Sequence, residues 1–199
     1  MSTATGTRGP YAKTAKLRAR AIDAGIELFG SAGYNGATLT EVAERVGMTL
    51  TGLQHHFPSK DALLTAVLEE RDRRDAERVV DRSHLDGIEN LIHMLSESEK
   101  NPGLMELQCV LSAEATSPEH PAHEYFQRRY SRLREEAATA FAAMVEEGDL
   151  TPIVAPDSLA AMIIALVDGL QLQWLLEPGS VHVEAEVRNF MHAFIPAIR

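Results

Sequence analysis

The stretch from Thr38 to Lys60, TLTEVAERVGMTLTGLQHHFPSK, constrains the fold more than any other part of this sequence. Thr38 and Glu41 have the spacing of a capping box, which predicts that a helix begins there. Gly47 predicts its end, because glycine adopts the left-handed conformation of a helix C-terminus without strain. Thr49 is then a suitable N-cap for a second helix. The stretch therefore predicts a helix, a tight turn and a second short helix.

The second helix of this stretch has an apolar side and a polar side. Leu53 and Phe57 are one turn apart and are expected to face the core. Thr51, Gly52 and Gln54 are left pointing outward. A helix-turn-helix with such a second helix is the geometry that places a recognition helix in the DNA major groove. An ordinary helical hairpin inside an all-α core is the alternative that these residues leave open.

Residues 21–67 resemble the DNA-binding domain of the TetR family of transcriptional regulators. The matching features are a helix ending in Leu28-Phe29 before Gly33-Tyr34, a Thr-capped helix, the Val46-Gly47 turn, His56-Phe57, and Ser59-Lys60 before Leu63-Leu64. Two positions depart from the family pattern: Gln54 replaces the usual tyrosine, and Leu50 replaces a residue that is often basic or small. The phosphate or base contact that this tyrosine makes in the family cannot be assigned to Gln54, so a base contact from Gln54 is a separate hypothesis.

The periodicity and the resemblance together predict an all-α protein of about nine helices that forms a two-fold homodimer. We expect a disordered arm at residues 1–12, a DNA-binding domain at 13–75 with its motif at 38–57, and a ligand-binding and dimerisation domain at 76–199. The resemblance implies a sequence-specific repressor that a small-molecule effector releases from a palindromic operator; an activator stays open. The segments HPAHEYF and DGLQLQWLLEP resemble actinobacterial members of the family.

The residues expected to contact DNA are small or form hydrogen bonds. Gln54 can pair with N6 and N7 of adenine, and the methyl group of Thr51 suits that of thymine. Gly52 permits close approach to base edges, and the ammonium of Lys60 suits a phosphate. The complete set is Thr38, Thr40, Thr49, Leu50, Thr51, Gly52, Gln54, His55, His56 and Lys60.

Charge is distributed unevenly along the chain. The net charge is −10, but residues 1–74 hold ten Lys/Arg against eight Asp/Glu, whereas the remainder holds nine against twenty-one. The basic groups thus gather in the part assigned to DNA. The charged run at residues 69–78 is expected to be a solvated connecting helix, because its charges alternate at helical spacing.

The segment from Asp157 to Leu176 is apolar nearly all round, and a final helix follows it. A helix with two apolar faces buries one in its own core and the other against a partner. These two helices are therefore expected to form a four-helix dimer interface with their symmetry copies. The expected interface residues are Met162, Ala165, Gly169, Leu172, Val187, Phe190, Met191 and Phe194.

An effector pocket is implied by the resemblance, and the sequence does not identify its ligand. The candidate lining residues are Met94, Met105, Gln108, Cys109, Phe126, Tyr130, Gln171 and Trp174. Ordinary core packing is the alternative for each, since Met and aromatic residues at helical spacing usually just pack. Gln108 and Gln171 are the better candidates, because a buried amide needs a partner.

Other functional classes find little support. The single cysteine, Cys109, excludes an internal disulfide and fits a reducing cytoplasm. Asp168 interrupts the longest apolar run, so no membrane span is expected. His120 and His123 flank a proline and lack a cysteine partner, so no metal or cofactor is expected. No catalytic constellation is present, so an enzyme is not expected. The remaining rival is an architectural or DNA-occluding helix-turn-helix protein without a ligand-controlled promoter.

Overall fold

The computed structural model describes residues 10–78, 84–100, 102–151 and 153–195. These residues form nine α-helices and no strand, which confirms the predicted all-α class. In chain order the helices are α1 (Pro10–Gly36), α2 (Leu39–Val46), α3 (Leu50–Gln54), α4 (Lys60–Arg78), α5 (His84–Lys100), α6 (Gly103–Glu114), α7 (His123–Glu147), α8 (Pro156–Leu176) and α9 (Val183–His192). Of the predicted arm, residues 1–9 lie outside the described residues, and residues 10–12 belong to α1.

The first hydrophobic core joins the N-terminal helices. Four of its members are almost completely buried: Phe29 of α1, Leu53 of α3, Phe57 in the turn after α3, and Leu63 of α4. Apolar side chains on one side of each helix therefore hold α1, α3 and α4 together, and Leu53 and Phe57 face the core as predicted.

This core does not end at the boundary of the N-terminal helices. Leu107 and Leu111 of α6 and Phe126 of α7 belong to the same buried cluster. α1 and α6 approach closely at Gly30, where a Cβ atom would lie 3.2 Å from the backbone nitrogen of Leu107. The N-terminal helices are therefore packed directly on α6 through α1.

A second core lies among α5, α7, α8 and α9. Its fully buried members include Ile92, Met144, Leu159 and Met191. α8 also leaves large apolar side chains exposed, and these include Met162, Leu172 and Leu176. Among the described helices, α8 alone is long and apolar enough to cross a membrane by composition, although Asp168 lies within it and accepts a hydrogen bond from α7.

Candidate nucleic-acid interface and interior polar cluster

The start of α2 is held by the predicted capping box. The Oγ1 atom of Thr38 accepts from the Glu41 amide at 3.2 Å, and Glu41 Oε2 accepts from the Thr38 amide at 3.0 Å. The Thr38 hydroxyl also donates to that carboxylate at 2.7 Å. Because a phosphate oxygen only accepts hydrogen bonds, Thr38 must release Glu41 before its hydroxyl can donate to DNA. Thr40, on the next exposed position, has no such constraint from the capping box.

The turn between α2 and α3 follows the prediction closely. Gly47 has φ 71° and ψ 36°, the left-handed conformation that ends a helix, and its amide donates back to α2. Thr49 Oγ1 then accepts from the Gly52 amide at 3.0 Å and caps α3. These local bonds set the angle between α2 and α3, with Leu53 and Phe57 buried beneath the second helix.

The outer face of α3 carries most of the predicted DNA contacts. Thr49, Leu50, Thr51, Gln54 and His55 are exposed. Leu50 is 40% exposed, so this helix offers a large apolar side chain as well as hydrogen-bonding groups. The face is thus available to a groove of DNA, and its base contacts remain predictions.

Two of the predicted contact residues on α3 also have a local role. A Cβ atom at Gly52 would lie 3.1 Å from Thr49 Oγ1, the atom that caps the helix. Glycine at this position therefore preserves the cap, independently of any approach to base edges. His56 is half-buried, with its ring centroid 6.4 Å from that of Phe57, so its ring packs beside the core and is less available than His55.

Lys60 is held by the end of α1. Its Nζ atom donates to the carbonyl oxygens of Tyr34 at 2.8 Å and Ala37 at 3.1 Å, and it lies 4.3 Å from the centroid of the Tyr34 ring. These contacts explain a cation in the first turn of α4, where the helix dipole disfavours it. A phosphate contact would use its third hydrogen and stays a prediction.

Arg18 is a basic residue that the predicted contact set omitted. Its guanidinium carbon lies 5.2 Å from the centroid of the Phe57 ring, just beyond the end of α3. α1 therefore places an exposed cation beside the motif. The cluster of basic residues at the start of α1 was a signal for it, but only the packing of α1 against Phe57 singles it out.

Tyr34 connects the N-terminal helices to the C-terminal ones. Its amide donates to Glu114 Oε2 at 2.7 Å, and its ring stacks on Phe29 with centroids 6.2 Å apart. Its hydroxyl donates to Asp61 of α4. Burial, with a smaller effect from Asp61, raises the pKa of Tyr34 to about 12. Tyr34 thus packs against Phe29 of α1 and reaches across to the end of α6.

The histidines near this junction bind the protein backbone. His120 Nδ1 accepts from the Ala122 amide at 3.1 Å, and His120 Nε2 lies 3.6 Å from Glu114 Oε2. Burial lowers the pKa of His120, and the nearby Glu114 carboxylate partly opposes this. His123 Nδ1 lies 2.8 Å from the carbonyl oxygen of Ala115. Within the described ranges, no group of three or more His, Cys, Asp or Glu side chains could hold a metal ion.

The C-terminal helices enclose a polar cluster. Gln108 Nε2 donates to the Tyr130 hydroxyl at 3.0 Å, and that hydroxyl donates to Asp168 Oδ2 at 2.7 Å. Burial raises the pKa of Asp168, and burial together with Asp168 raises that of Tyr130 to about 12. The structure therefore brings together two predicted effector residues, Gln108 and Tyr130, and adds Asp168, whose only signal in the sequence is that it interrupts the apolar run of α8.

The other predicted effector residues divide between the two cores. Phe126 packs in the first core beside Tyr130, whereas Trp174 packs against the second. Met105 is buried, Cys109 is half-buried, and Met94 and Gln171 are half-buried on α5 and α8. Burial, and next Asp168, raises the pKa of the Cys109 thiol to about 11, which makes it a weak nucleophile.

A second group of polar residues extends the cluster and was missed by the sequence analysis. Arg129 Nη1 donates to Asp72 Oδ1 at 2.8 Å, and its Nη2 donates to Asp75 Oδ2 at 2.9 Å. Arg71 is only 7% exposed, so the expectation of a solvated helix at residues 69–78 is wrong for this residue. The signal was present, because Arg71 continues the apolar stripe of Leu64 at a spacing of seven.

The predicted dimer surface is only partly available. Met162, Ala165 and Leu172 are exposed on α8, and Gly169 is half-buried. Phe190 of α9 and Phe194, two residues beyond its end, are also half-buried. Val187 and Met191, in contrast, face the core of their own chain, because α9 packs that side against α5 and α8.

Comparison with known families matches both parts of the chain. The family model described as bacterial regulatory proteins, tetR family, matches residues 21–67. A second, described as BetI-type transcriptional repressor, C-terminal, matches residues 89–199. The first match covers the helix-turn-helix, and the second covers more than half of the chain.

Individual relatives agree with these matches. The regulator RutR of Escherichia coli is 36% identical over 66 residues, which are 33% of this chain and 31% of RutR; the match thus spans about a third of that relative. The regulator BetI of Burkholderia cenocepacia is 27% identical over 195 residues, covering 86% of this chain and 88% of BetI. A tetR-family regulator of Agrobacterium tumefaciens has the same fold, with a TM-score of 0.81 at 15% identity over 92% of this chain and 99% of that structure.

Proposed function

Because the chain belongs to the tetR family of bacterial regulatory proteins, we propose that it is a DNA-binding transcriptional regulator whose α3 enters the major groove. The observation that carries this proposal is the outer face of α3. Five exposed residues there, among them Thr51 and Gln54, lie on a helix held by a cap at Thr49 and by the buried Leu53. A rigid helix with hydrogen-bonding groups outward has what base recognition requires.

Repression is the proposed mode of regulation. It is supported by the match of residues 89–199 to the C-terminal domain of BetI-type repressors. In this proposal a small-molecule effector binds among the C-terminal helices and releases the protein from a palindromic operator in the cytoplasm. The actinobacterial subtype is a finer part of the proposal that rests only on the two segments named above.

A homodimer is the proposed assembly. The support for it is the exposed apolar side of α8, where Met162 is 46% and Leu172 is 50% exposed. Covering these side chains with a second α8 would remove apolar surface from water and place two recognition helices on one DNA duplex. In sedimentation velocity, Leu172→Glu is expected to shift the protein toward monomer. Ile153→Glu, which adds the same charge at an exposed apolar residue outside α8, should leave the dimer unchanged.

DNA recognition is tested by fluorescence anisotropy with the labelled intergenic DNA beside this gene, against a scrambled duplex, at two salt concentrations. We expect tighter binding to the intergenic duplex at both salts, with an affinity that falls as salt rises. Equal binding to both duplexes that disappears at high salt would leave only the electrostatic component. The architectural or DNA-occluding protein would then be the better assignment.

A further inference from the structure

The interior polar cluster contains buried atoms that lack hydrogen-bond partners. Among the described residues, three polar or charged residues are buried as whole residues, namely Arg71, Gln108 and Arg129, with exposed fractions of 7%, 6% and 9%. Within the same part of the chain, four buried side-chain atoms have no hydrogen-bond partner: Arg71 Nη1, Gln108 Oε1, Arg129 Nε and His120 Nε2. His120 lies apart from the other three, with its Nε2 atom 3.6 Å from Glu114 Oε2 at the junction with α1. Buried polar groups are nearly always paired in native proteins, so three exceptions in neighbouring side chains indicate that a ligand supplies the missing bonds.

Arg71 is the most informative of the three. No carboxylate of the described residues lies within ion-pair distance of it. Burial, and next the charge of Arg129, lowers the pKa of its guanidinium, and the carboxylates of Asp75 and Asp72 partly oppose this. A buried charge without a partner is strongly unfavourable unless a counter-ion completes the site. In the free protein Arg71 Nη1 is therefore a buried donor without an acceptor, and an anionic oxygen would supply one.

The acidic residues around Arg71 bind other donors. Asp72 and Asp75 accept from Arg129, and Asp72 also accepts from the Tyr125 hydroxyl at 2.8 Å. Asp168 accepts a hydrogen bond from the Tyr130 hydroxyl. Burial raises the pKa of Asp168, and the nearby charges of Arg71 and Arg129 partly oppose that rise. The three unpaired atoms thus belong to one region among α4, α6, α7 and α8.

The chemistry of the unpaired atoms defines the ligand that they suit. Arg71 Nη1 and Arg129 Nε are donors, and guanidinium groups bind carboxylates with particular directional strength. Gln108 Oε1 is an acceptor and needs a hydroxyl or amino hydrogen. A monoanion is favoured over a phosphate dianion, because Asp168 lies in the same cluster.

We propose that this cluster binds the effector, and that the effector is a small carboxylic acid that also carries a hydroxyl or amino group. The carboxylate contacts Arg71 and Arg129, and the donor group contacts Gln108. The assignment of this ligand as an effector rests on the proposed regulatory function, whereas the binding itself does not depend on it.

The binding test uses acids of increasing length: glycolate, 3-hydroxypropionate and 4-hydroxybutyrate, each with its own neutral amide. Thermal melting and isothermal titration calorimetry are run on the full chain at constant ionic strength. At least one acid is expected to bind saturably and raise the melting temperature, whereas its amide does not. Arg71→Met should weaken that binding at least tenfold, because a good charge-assisted contact is lost. The control is Arg128→Met, which removes an exposed arginine from α7, the helix that also carries Arg129. This variant should bind the acid as tightly as the wild type does.

The stability of Arg71→Met in the absence of acid separates a ligand-binding group from a structural one. Methionine keeps much of the side-chain volume and removes the buried charge, so this variant is expected to melt no lower than the wild type. A clearly lower melting temperature would show that the guanidinium supports the fold, and would overturn the proposal. Failure of every acid to bind saturably would overturn the ligand class.

Anisotropy with the intergenic DNA distinguishes this inference from the proposed function. Arg71→Met is expected to bind that DNA as tightly as the wild type, but the bound acid should release only the wild type. Acid binding by a protein without preference for the intergenic DNA would contradict the effector role and the regulatory function together, and leave the site itself intact. Preferred DNA binding that no acid relieves would overturn the effector inference and leave the regulator.

Discussion

The junction between α1 and α6 depends on Gly33, and Gly33→Ala is therefore a demanding test of the structure. Gly33 has φ 71° and ψ 177°, a backbone conformation that is essentially restricted to glycine. An alanine Cβ atom there would lie 2.3 Å from Glu114 Oε1 and 2.9 Å from Glu114 Cδ. The substitution thus strains the backbone and expels the carboxylate that accepts from the Tyr34 amide.

The magnitude follows from these two effects. A residue forced into a sparsely populated backbone region costs about 1–3 kcal/mol. A hydrogen bond to a charged group contributes about 1.5–3 kcal/mol. We expect Gly33→Ala to lower the free energy of unfolding by roughly 3–5 kcal/mol, which for a chain of this size corresponds to a fall of about 10 °C in melting temperature.

Urea unfolding followed by far-ultraviolet circular dichroism measures this change. Gly36→Ala is the matched control, because its φ is not positive and its Cβ atom would meet only Ala32 Cβ at 3.4 Å. It should be neutral or slightly stabilising, since alanine is favoured over glycine in a helix by about 0.5–1 kcal/mol.

A double-mutant cycle with Glu114→Ala separates the two contributions. In the Glu114→Ala background the carboxylate is already absent, so Gly33→Ala should cost only the backbone strain of about 1–3 kcal/mol. An identical cost in both backgrounds would show that Glu114 plays no part. A cost below about 1 kcal/mol in the wild type would refute the whole argument about the junction.

Three further substitutions test separate residues. Gln54→Ala should lower the preference for the intergenic duplex over the scrambled one by about tenfold, since a bidentate base contact contributes ~1–3 kcal/mol of discrimination; equal loss on both duplexes in anisotropy would make Gln54 a backbone contact. Lys60→Met should lower the free energy of unfolding by about 2 kcal/mol in urea, because its bonds to the Tyr34 and Ala37 carbonyls are lost; unchanged unfolding with a smaller salt dependence of DNA binding would instead make Lys60 a phosphate contact. Because burial lowers the pKa of His120, the unfolded chain binds its proton more readily, and stability falls as the pH drops below about 6.5. His120→Gln should therefore reduce the loss of melting temperature between about pH 7.5 and about pH 5.5, and an unchanged loss would contradict this.

The helix-turn-helix could be predicted in detail because its signals are local. The capping box of Thr38 and Glu41, the left-handed Gly47 and the cap at Thr49 each act within a few residues of sequence. Short-range bonds of this kind are decided by spacing alone, so a sequence pattern is sufficient to place them.

The interior cluster could not be predicted in the same way, because its partners are far apart in the sequence. The charged run around Arg71 predicts a solvent-exposed side chain, whereas the fold buries it near Arg129 of α7 and Asp168 of α8. The position of Lys60 suits a phosphate contact, but the carbonyl oxygens of Tyr34 and Ala37 at the end of α1 accept two of the three hydrogens of its ammonium group. Which of several possible partners a side chain binds depends on the tertiary structure, and the helical periodicity of a sequence carries no information about partners that are far apart in it.

The close approach of α1 to α6 at Gly30 also limits how such regulators can be recombined. Residues 21–67 contain a complete helix-turn-helix, yet the inner side of α1 is shaped to the backbone of α6. A chimaera that joins this DNA-reading segment to the effector domain of another regulator must therefore also reproduce the α6 surface that Gly30 contacts. A new pairing of operator and effector would therefore require matched changes on the facing surfaces of α1 and α6.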